Sequence, residues 1–294
     1  MLNRVDLILL SLLTLFWGVN WPIMKYAVTN FPPLTFRIIS MLIGLLALFL
    51  WMRLRGESLF IPKEERRRVI HLAIGNMLIW HLFAIYAVKL LSSGRAAIIG
   101  YTMPVWALLA SVFFFKGEFT WRGGLGVLLA LCATLLLAAE EFSAFLGQPL
   151  GLGFMLIAAM GWGLGTAMMN HLKVSASNTA LSFWMMSFTS LFVLVAAIFL
   201  ESANWRWPNF GEWVAILFNA FVIFGFCHVV WFRLARKLPP VVSSLSIMLI
   251  PALGVFSGVV GLGEKLGPYD LGALVFILLS MAAVLIPQRR PTST

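Results

Sequence analysis

Apolar residues run along this chain in ten stretches of near membrane-spanning length, separated by short polar gaps. The pattern predicts ten helices, at residues 5–27, 33–52, 69–90, 95–115, 121–139, 149–170, 178–199, 211–233, 239–261 and 269–287. A helix needs roughly 20 apolar residues to cross ~30 Å of hydrocarbon, and in lipid each backbone N–H and C=O must be satisfied within its own helix. The expected fold class is therefore an all-α membrane protein of ten transmembrane helices. Composition agrees, since 61% of the 294 residues are hydrophobic and 11% are charged, a balance that would leave a water-soluble domain with an apolar surface. The run that follows Arg4 passes through Trp17, Gly18 and Asn20 without a small-residue cleavage site, so the first stretch is expected to remain as a span. The longest gap, 53–68, is too short to build a core; its Pro62-Lys63-Glu64-Glu65-Arg66-Arg67-Arg68 run reads as a solvated segment leading into the third span.

Charge sets the expected orientation. The formal charge of +10 raises the possibility of nucleic acid, but the cations sit in the gaps between spans rather than along an exposed face, so no nucleic-acid partner is expected. Fifteen of the 21 Lys and Arg residues fall on the side that carries the N-terminus and five on the other, with Arg37 inside the second span. The excess predicts both termini in the cytoplasm. Trp51, Trp121, Trp205, Trp207 and Trp213 fall where an interfacial aromatic belt would lie. Cys132 and Cys227 lie inside spans and read as small packing residues, with neither a disulfide nor a metal implied.

The second five spans echo the first five. Trp17-Gly18 parallels Trp162-Gly163 and Met24 parallels Met169 at an offset of 145 residues; Pro104 parallels Pro251, Gly117-Glu118 parallels Gly263-Glu264, and Gly126 parallels Gly272 at offsets of 146 or 147. The chain thus divides into residues 1–145 and 146–294. An odd number of spans per copy inserts the second copy upside down, and inverted repeats are the common plan of alternating-access carriers.

The paired Trp-Gly of spans one and six, together with Pro104…Gly117-Glu118…Gly126 and Pro251…Gly263-Glu264…Gly272, resembles the drug/metabolite transporter superfamily, specifically its ten-span EamA-type permeases, over essentially the whole chain. The overall sequence is most similar to the bacterial aromatic and neutral amino-acid exporters of the YddG type. The resemblance implies two inverted five-helix bundles around a central cavity, and an inner-membrane carrier that works without ATP. It implies no cofactor, no metal and no ATPase subunit; the partners would be a small substrate and the lipid, with the protein a monomer or weak oligomer.

Candidate substrate-binding residues come from helical spacing. In the first span Trp17, Asn20, Trp21 and Met24 share a stripe, with Trp162, Thr166 and Met169 as their repeat partners. Trp17 would lie ~18 Å into the membrane by helical rise, where the Asn20 amide needs a partner or water. The third span sets Asn76, Trp80 and Phe83 on one face, with His81 turned ~100° from Trp80; His228 repeats His81 at an offset of 147. The fourth span aligns Ala97, Tyr101 and Pro104, and the ninth aligns Ser244, Met248 and Pro251. The two prolines remove backbone hydrogen bonds, which either only kinks the helices or turns free carbonyls toward a cavity. Asp and Glu are absent from mid-depth, so a carboxylate proton relay is not expected. Glu118 and Glu264 read as helix punctuation, and Arg37 as a side chain that snorkels to the surface or pairs with a carboxylate. Gly161, Gly163, Gly165, Gly254 and Gly258 read as close helix contacts.

The resemblance implies an amino-acid exporter, and these residues would give it an uncharged, aromatic-lined site. A broader drug or metabolite exporter is the alternative, because the same rings would stack a planar cation. An intramembrane enzyme is the remote alternative: it needs a nucleophile–base pair, a carboxylate cluster or metal-ligand spacing, none of which the spans display.

Overall fold

The computed structural model describes residues 4–143, 147–172, 174–228, 230 and 240–286, and the side chains of all of these except 141–143, 170 and 240–246. The described residues hold ten helices and no strand: α1 (Arg4–Asn30), α2 (Pro33–Arg55), α3 (Lys63–Leu90), α4 (Ser93–Phe115), α5 (Trp121–Ser143), α6 (Pro149–His171), α7 (Asn178–Glu201), α8 (Phe210–Cys227), α9 (Pro240–Leu262) and α10 (Pro268–Leu285). Nine are long and apolar enough to cross a membrane, and the described apolar part of α9 is the shorter Ile247–Leu262.

Local chemistry sets the ends. Pro33, Pro149 and Pro268 stand in the first turn of α2, α6 and α10, where a missing N–H removes no helix bond. Ser92 and Ser177 cap α4 and α7 by accepting from Arg95 N and Ala180 N, and Asn209 with Glu212 forms a capping box on α8. Gly56 closes α2 in the left-handed region, at φ 66°. The third helix begins six residues before its expected start, because Lys63–Glu65 forms a 3₁₀ turn that feeds Arg66 into the helix.

The two proline kinks differ. In α4 regular hydrogen bonding stops at Tyr101 and Thr102 and resumes at Met103, placing Pro104 in a new first turn, whereas α9 runs through Pro251 without such a break. Two π-helical stretches also occur, at Ile74–Leu78 in α3 and Phe218–Cys227 in α8. Neither was legible in the apolar pattern.

Helix pairing exchanges between the halves. The α1–α9 contact is matched by α6–α4, α3–α6 by α8–α1, and α2–α8 by α7–α3, while α2–α7, α4–α9 and α5–α10 join related helices directly. Small residues permit the closest of these approaches. Gly165 leaves no room for a Cβ against the Asn76 backbone, nor does Gly161 against Ile79. Large apolar side chains such as Leu46, Phe113, Phe199 and Val260 point outward, as a lipid-facing surface requires.

Candidate functional site

A cavity of about 990 Å³ opens at the cation-rich end, where the α2–α3 and α6–α7 gaps meet. Its walls come from α2, α3, α7 and α8, two helices from each half, and include Trp51, Arg55, Glu57, Asn178, Thr179 and Ser182. Met77, Phe224 and His228 form its deepest part. Trp51 therefore does more than anchor the interface; its ring lines the cavity beneath the Arg55 guanidinium, 5.8 Å from the ring centroid.

The opposite end has only smaller clefts, of about 470 and 370 Å³, and its helices are tied together by carboxylates. The Glu201 carboxylate at the end of α7 accepts from Leu34 N (2.9 Å), Thr35 N (2.8 Å), Thr35 Oγ1 (2.8 Å) and Tyr86 Oη (2.9 Å), capping α2 and holding α3. Glu264 does the same for α4, accepting from Ser93 N (2.6 Å), Ser93 Oγ (2.9 Å) and Gly94 N (3.2 Å), so it joins two helices rather than only ending its own. Arg95 bridges α4 to Asp270 of α10 at 2.7 Å and to Glu140 of α5 at 2.6 Å. Lys25 Nζ donates to Lys89 O at 2.7 Å.

Between the ends lies an aromatic cluster assembled from several of the sequence candidates. Trp21 meets Trp80 and Tyr101, each at 6.4 Å between centroids, and Trp80 meets Trp162 at 5.3 Å. Pro22 removes a backbone bond just after Trp21, and α4 breaks at Tyr101, so both rings stand on distorted turns. Trp17 lies apart from that group, edge-on to His228 at 6.3 Å. Of the sequence candidates whose side chains are described, His228 lines the open cavity and the others do not. His81 packs on Phe224, 5.5 Å between centroids, and Trp17 on His228, two residues that line it.

The remaining candidates fall into three groups. Asn20 is buried and accepts from Asn219 Nδ2 at 2.9 Å, a partner 199 residues away that the sequence reading passed over. Asn76 and His81 are each 4% exposed, and among the described residues Asn76 Nδ2 and both His81 ring nitrogens have no hydrogen-bond partner. Thr166 spends its hydroxyl on Trp162 O at 2.9 Å, and Met248 packs against the main core. The Ser244 side chain lies outside the described residues. Among the described residues no group of His, Cys, Asp and Glu has the geometry to hold a metal ion.

Arg37 departs from the snorkelling expectation. It is 3% exposed, its Nη2 donates to Met24 Sδ at 3.2 Å, and its guanidinium carbon lies 5.8 Å and 6.0 Å from the ring centroids of Phe36 and Phe224. The π-helical stretches are the other feature missed. They occupy related places in α3 and α8, and in α8 the wider turn lets His228 Nδ1 bond Ile223 O at 2.8 Å, five residues back. Such turns gather at functional sites because they re-aim side chains and loosen the backbone ladder.

Comparison with known proteins is consistent with this architecture. The chain is 26% identical over 265 residues to the uncharacterized transporter YoaV of Bacillus subtilis, covering 86% of this chain and 87% of that one. It is 25% identical to the S-adenosylmethionine/S-adenosylhomocysteine transporter of Chlamydia trachomatis, covering 90% of this chain and 84% of the relative. One solved crystal structure superimposes with a TM-score of 0.68 at 18% identity, covering 96% of both chains, which speaks to the fold alone. The EamA-like transporter family matches twice, at residues 5–139 and 149–286, and the chain, which shows ten helices among its described residues and an apolar outer surface, belongs to that family.

Proposed function

We propose that this protein exports amino acids, aromatic and other neutral ones, across the bacterial inner membrane by alternating access of two inverted halves, residues 1–145 and 146–294. Both termini lie in the cytoplasm in this reading, on the strength of the cation asymmetry. The 990 Å³ cavity is then inward-facing, the state in which an exporter loads. The protein acts as a monomer or weak oligomer on a small substrate, with no cofactor, no nucleic acid and no ATPase subunit.

The observation that carries the reading is the cluster of Trp21, Trp80, Tyr101 and Trp162 between the large open cavity and the carboxylate-tied end. Ring faces and edges suit an apolar or aromatic side chain, and neutral polar groups suit a zwitterion that brings no net charge. The named substrate of the Chlamydia relative has an amino-acid head joined to a planar adenine. That supports an aromatic substrate with an amino-acid head, and it equally favours the second reading, a broader metabolite exporter.

Counterflow in liposomes of purified protein, with a panel of labelled amino acids, tests the proposal. Phenylalanine, tyrosine or tryptophan should exchange, and a proton ionophore should leave the exchange intact. Trp80→Ala and Tyr101→Ala should each raise KM about tenfold without loss of folded protein, since a buried ring supplies ~150–250 Å² of contact. Exchange of nucleosides or planar cations but of no amino acid would overturn the amino-acid assignment in favour of the broader one.

A further inference from the structure

We infer that the Arg37 guanidinium, with His81 nearby, is the subsite for the substrate's carboxylate, closed off from the open cavity by the Phe224 ring. The inference deepens the amino-acid reading above and rests on it for the rest of the substrate.

Arg37 stands four residues into α2, ~6 Å from the helix start by rise. A snorkelling side chain would lie against the near surface, but this one is 3% exposed and turned toward Met24 and Phe224. The guanidinium carries five donors in a planar fork, matched here to one thioether sulfur, a weak acceptor, and to two ring faces. Among the described residues its Nε has no hydrogen-bond partner, and no ion pair joins Arg37 to any carboxylate. Cations at membrane depth are stable when matched by an anion, a carbonyl or water. A planar fork matches a planar two-oxygen anion, and one cation among neutral groups balances one negative charge rather than the two of a phosphate.

The route follows from Phe224. This residue is 1% exposed, yet it forms part of the cavity floor, with the His228 ring stacked on it at 5.7 Å. The same ring touches His81, 5.5 Å away, and Arg37, 6.0 Å away, neither of which lines the cavity. A single aromatic side chain therefore separates the cavity from a buried cation and from a histidine whose ring nitrogens have no partner among the described residues. It belongs to the π-helical stretch of α8, whose wider turns re-aim side chains, and is followed by Gly225.

The test uses full-length protein in liposomes and three probes: phenylalanine, 3-phenylpropionate (carboxylate without ammonium) and phenethylamine (ammonium without carboxylate). In the wild-type protein, 3-phenylpropionate should inhibit phenylalanine counterflow and phenethylamine should not. Arg37→Lys should raise the phenylalanine KM about 10-fold and Arg37→Gln about 100-fold, the scale of hydrogen bonds to a buried charge. In Phe224→Ala, phenylglyoxal should modify Arg37, located by mass spectrometry, with protection by phenylalanine; in the wild-type protein Arg37 should stay unmodified. Should Arg37→Gln fail to fold, the wild-type probe panel decides by itself. Phenethylamine inhibiting as well as 3-phenylpropionate, or folded Arg37→Gln with an unchanged KM, overturns the subsite while leaving amino-acid export standing. Arg37-dependent inhibition by carboxylates in a protein that exchanges no amino acid keeps the subsite and removes the export reading. Failure of all three probes to bind overturns both for aromatic substrates.

Discussion

At the carboxylate-tied end of the bundle, Glu201 caps the first turn of α2 at Leu34 and Thr35. At the open end the related pieces stand apart. Glu57 follows Thr35 by 22 residues just as Glu201 follows Thr179 by 22, and Glu57 and Thr179 both line the cavity wall, where Glu57 makes no comparable bond among the described residues. The Gly-Glu pairs repeat the contrast. Glu264 binds the first turn of α4, whereas Glu118 is exposed. The open end still holds some polar ties, with Ser175 N donating to Glu65 at 3.0 Å and Trp184 Nε1 to Leu59 O at 2.7 Å, but neither carries a carboxylate into a buried helix terminus. One chemical device, a carboxylate at the end of one helix capping the start of another, is engaged at one end and disengaged at the other. Under the alternating-access proposal, that difference is one conformation of the carrier, and the opposite conformation would exchange the two.

The largest expected effect breaks or keeps the whole comparison. Single cysteines at Phe60 and Trp207, residues 69% and 81% exposed, should react with an impermeant thiol reagent from opposite sides of the membrane, Phe60→Cys only from the cytoplasm. Labelling from one common side would undo the assignment of ends.

Next in size is Glu201→Ala, which leaves the N–H groups of Leu34 and Thr35 buried without acceptors. It should lower stability by about 3 kcal/mol in thermal unfolding and admit reagent from outside to a cysteine at Val28, which is fully buried in the wild-type protein. Unchanged melting and an unlabelled Val28→Cys would show that Glu201 is not holding that end.

The paired carboxylates give a smaller, differential effect. Glu264→Ala should cost about 2 kcal/mol, while Glu118→Ala, at an exposed position, should stay within about 0.5 kcal/mol of wild type; equal costs would erase the contrast.

The smallest effect sharpens the comparison most. Glu57→Ala should leave the described conformation as stable as before and weaken only its alternative, shifting the balance about tenfold toward the inward-open form. Substrate-induced protection of a cysteine at Ser182, on the cavity wall, should then weaken to the same degree. Full protection would mean that Glu57 takes no part in closing that end.

The ten helices and most of their ends were legible because membrane insertion is decided locally, by the summed apolarity of about 20 neighbouring residues and by breakers such as Phe31-Pro32-Pro33. The candidate site was legible only in part. Trp21, Trp80, Tyr101 and Trp162 do converge, but spans that are apolar on nearly every face do not reveal which face looks inward, so Trp51, Met77 and Phe224 were missed. Glu201 gave no signal beyond being an acidic residue at a helix end.

The sequence alone determined that this is a ten-span membrane protein, because the free energy of burying an apolar segment in lipid depends on that segment's own composition. The partner of each buried polar group was decided only by the tertiary structure. Asn20 finds Asn219, Glu201 finds the start of α2, Glu264 finds the start of α4, and Arg37 turns inward to Phe224, across separations of 166 to 199 residues for the hydrogen-bonded pairs. Within lipid a polar group cannot fall back on water, so its energy depends on which distant helix reaches it, and no local pattern in the chain records that choice.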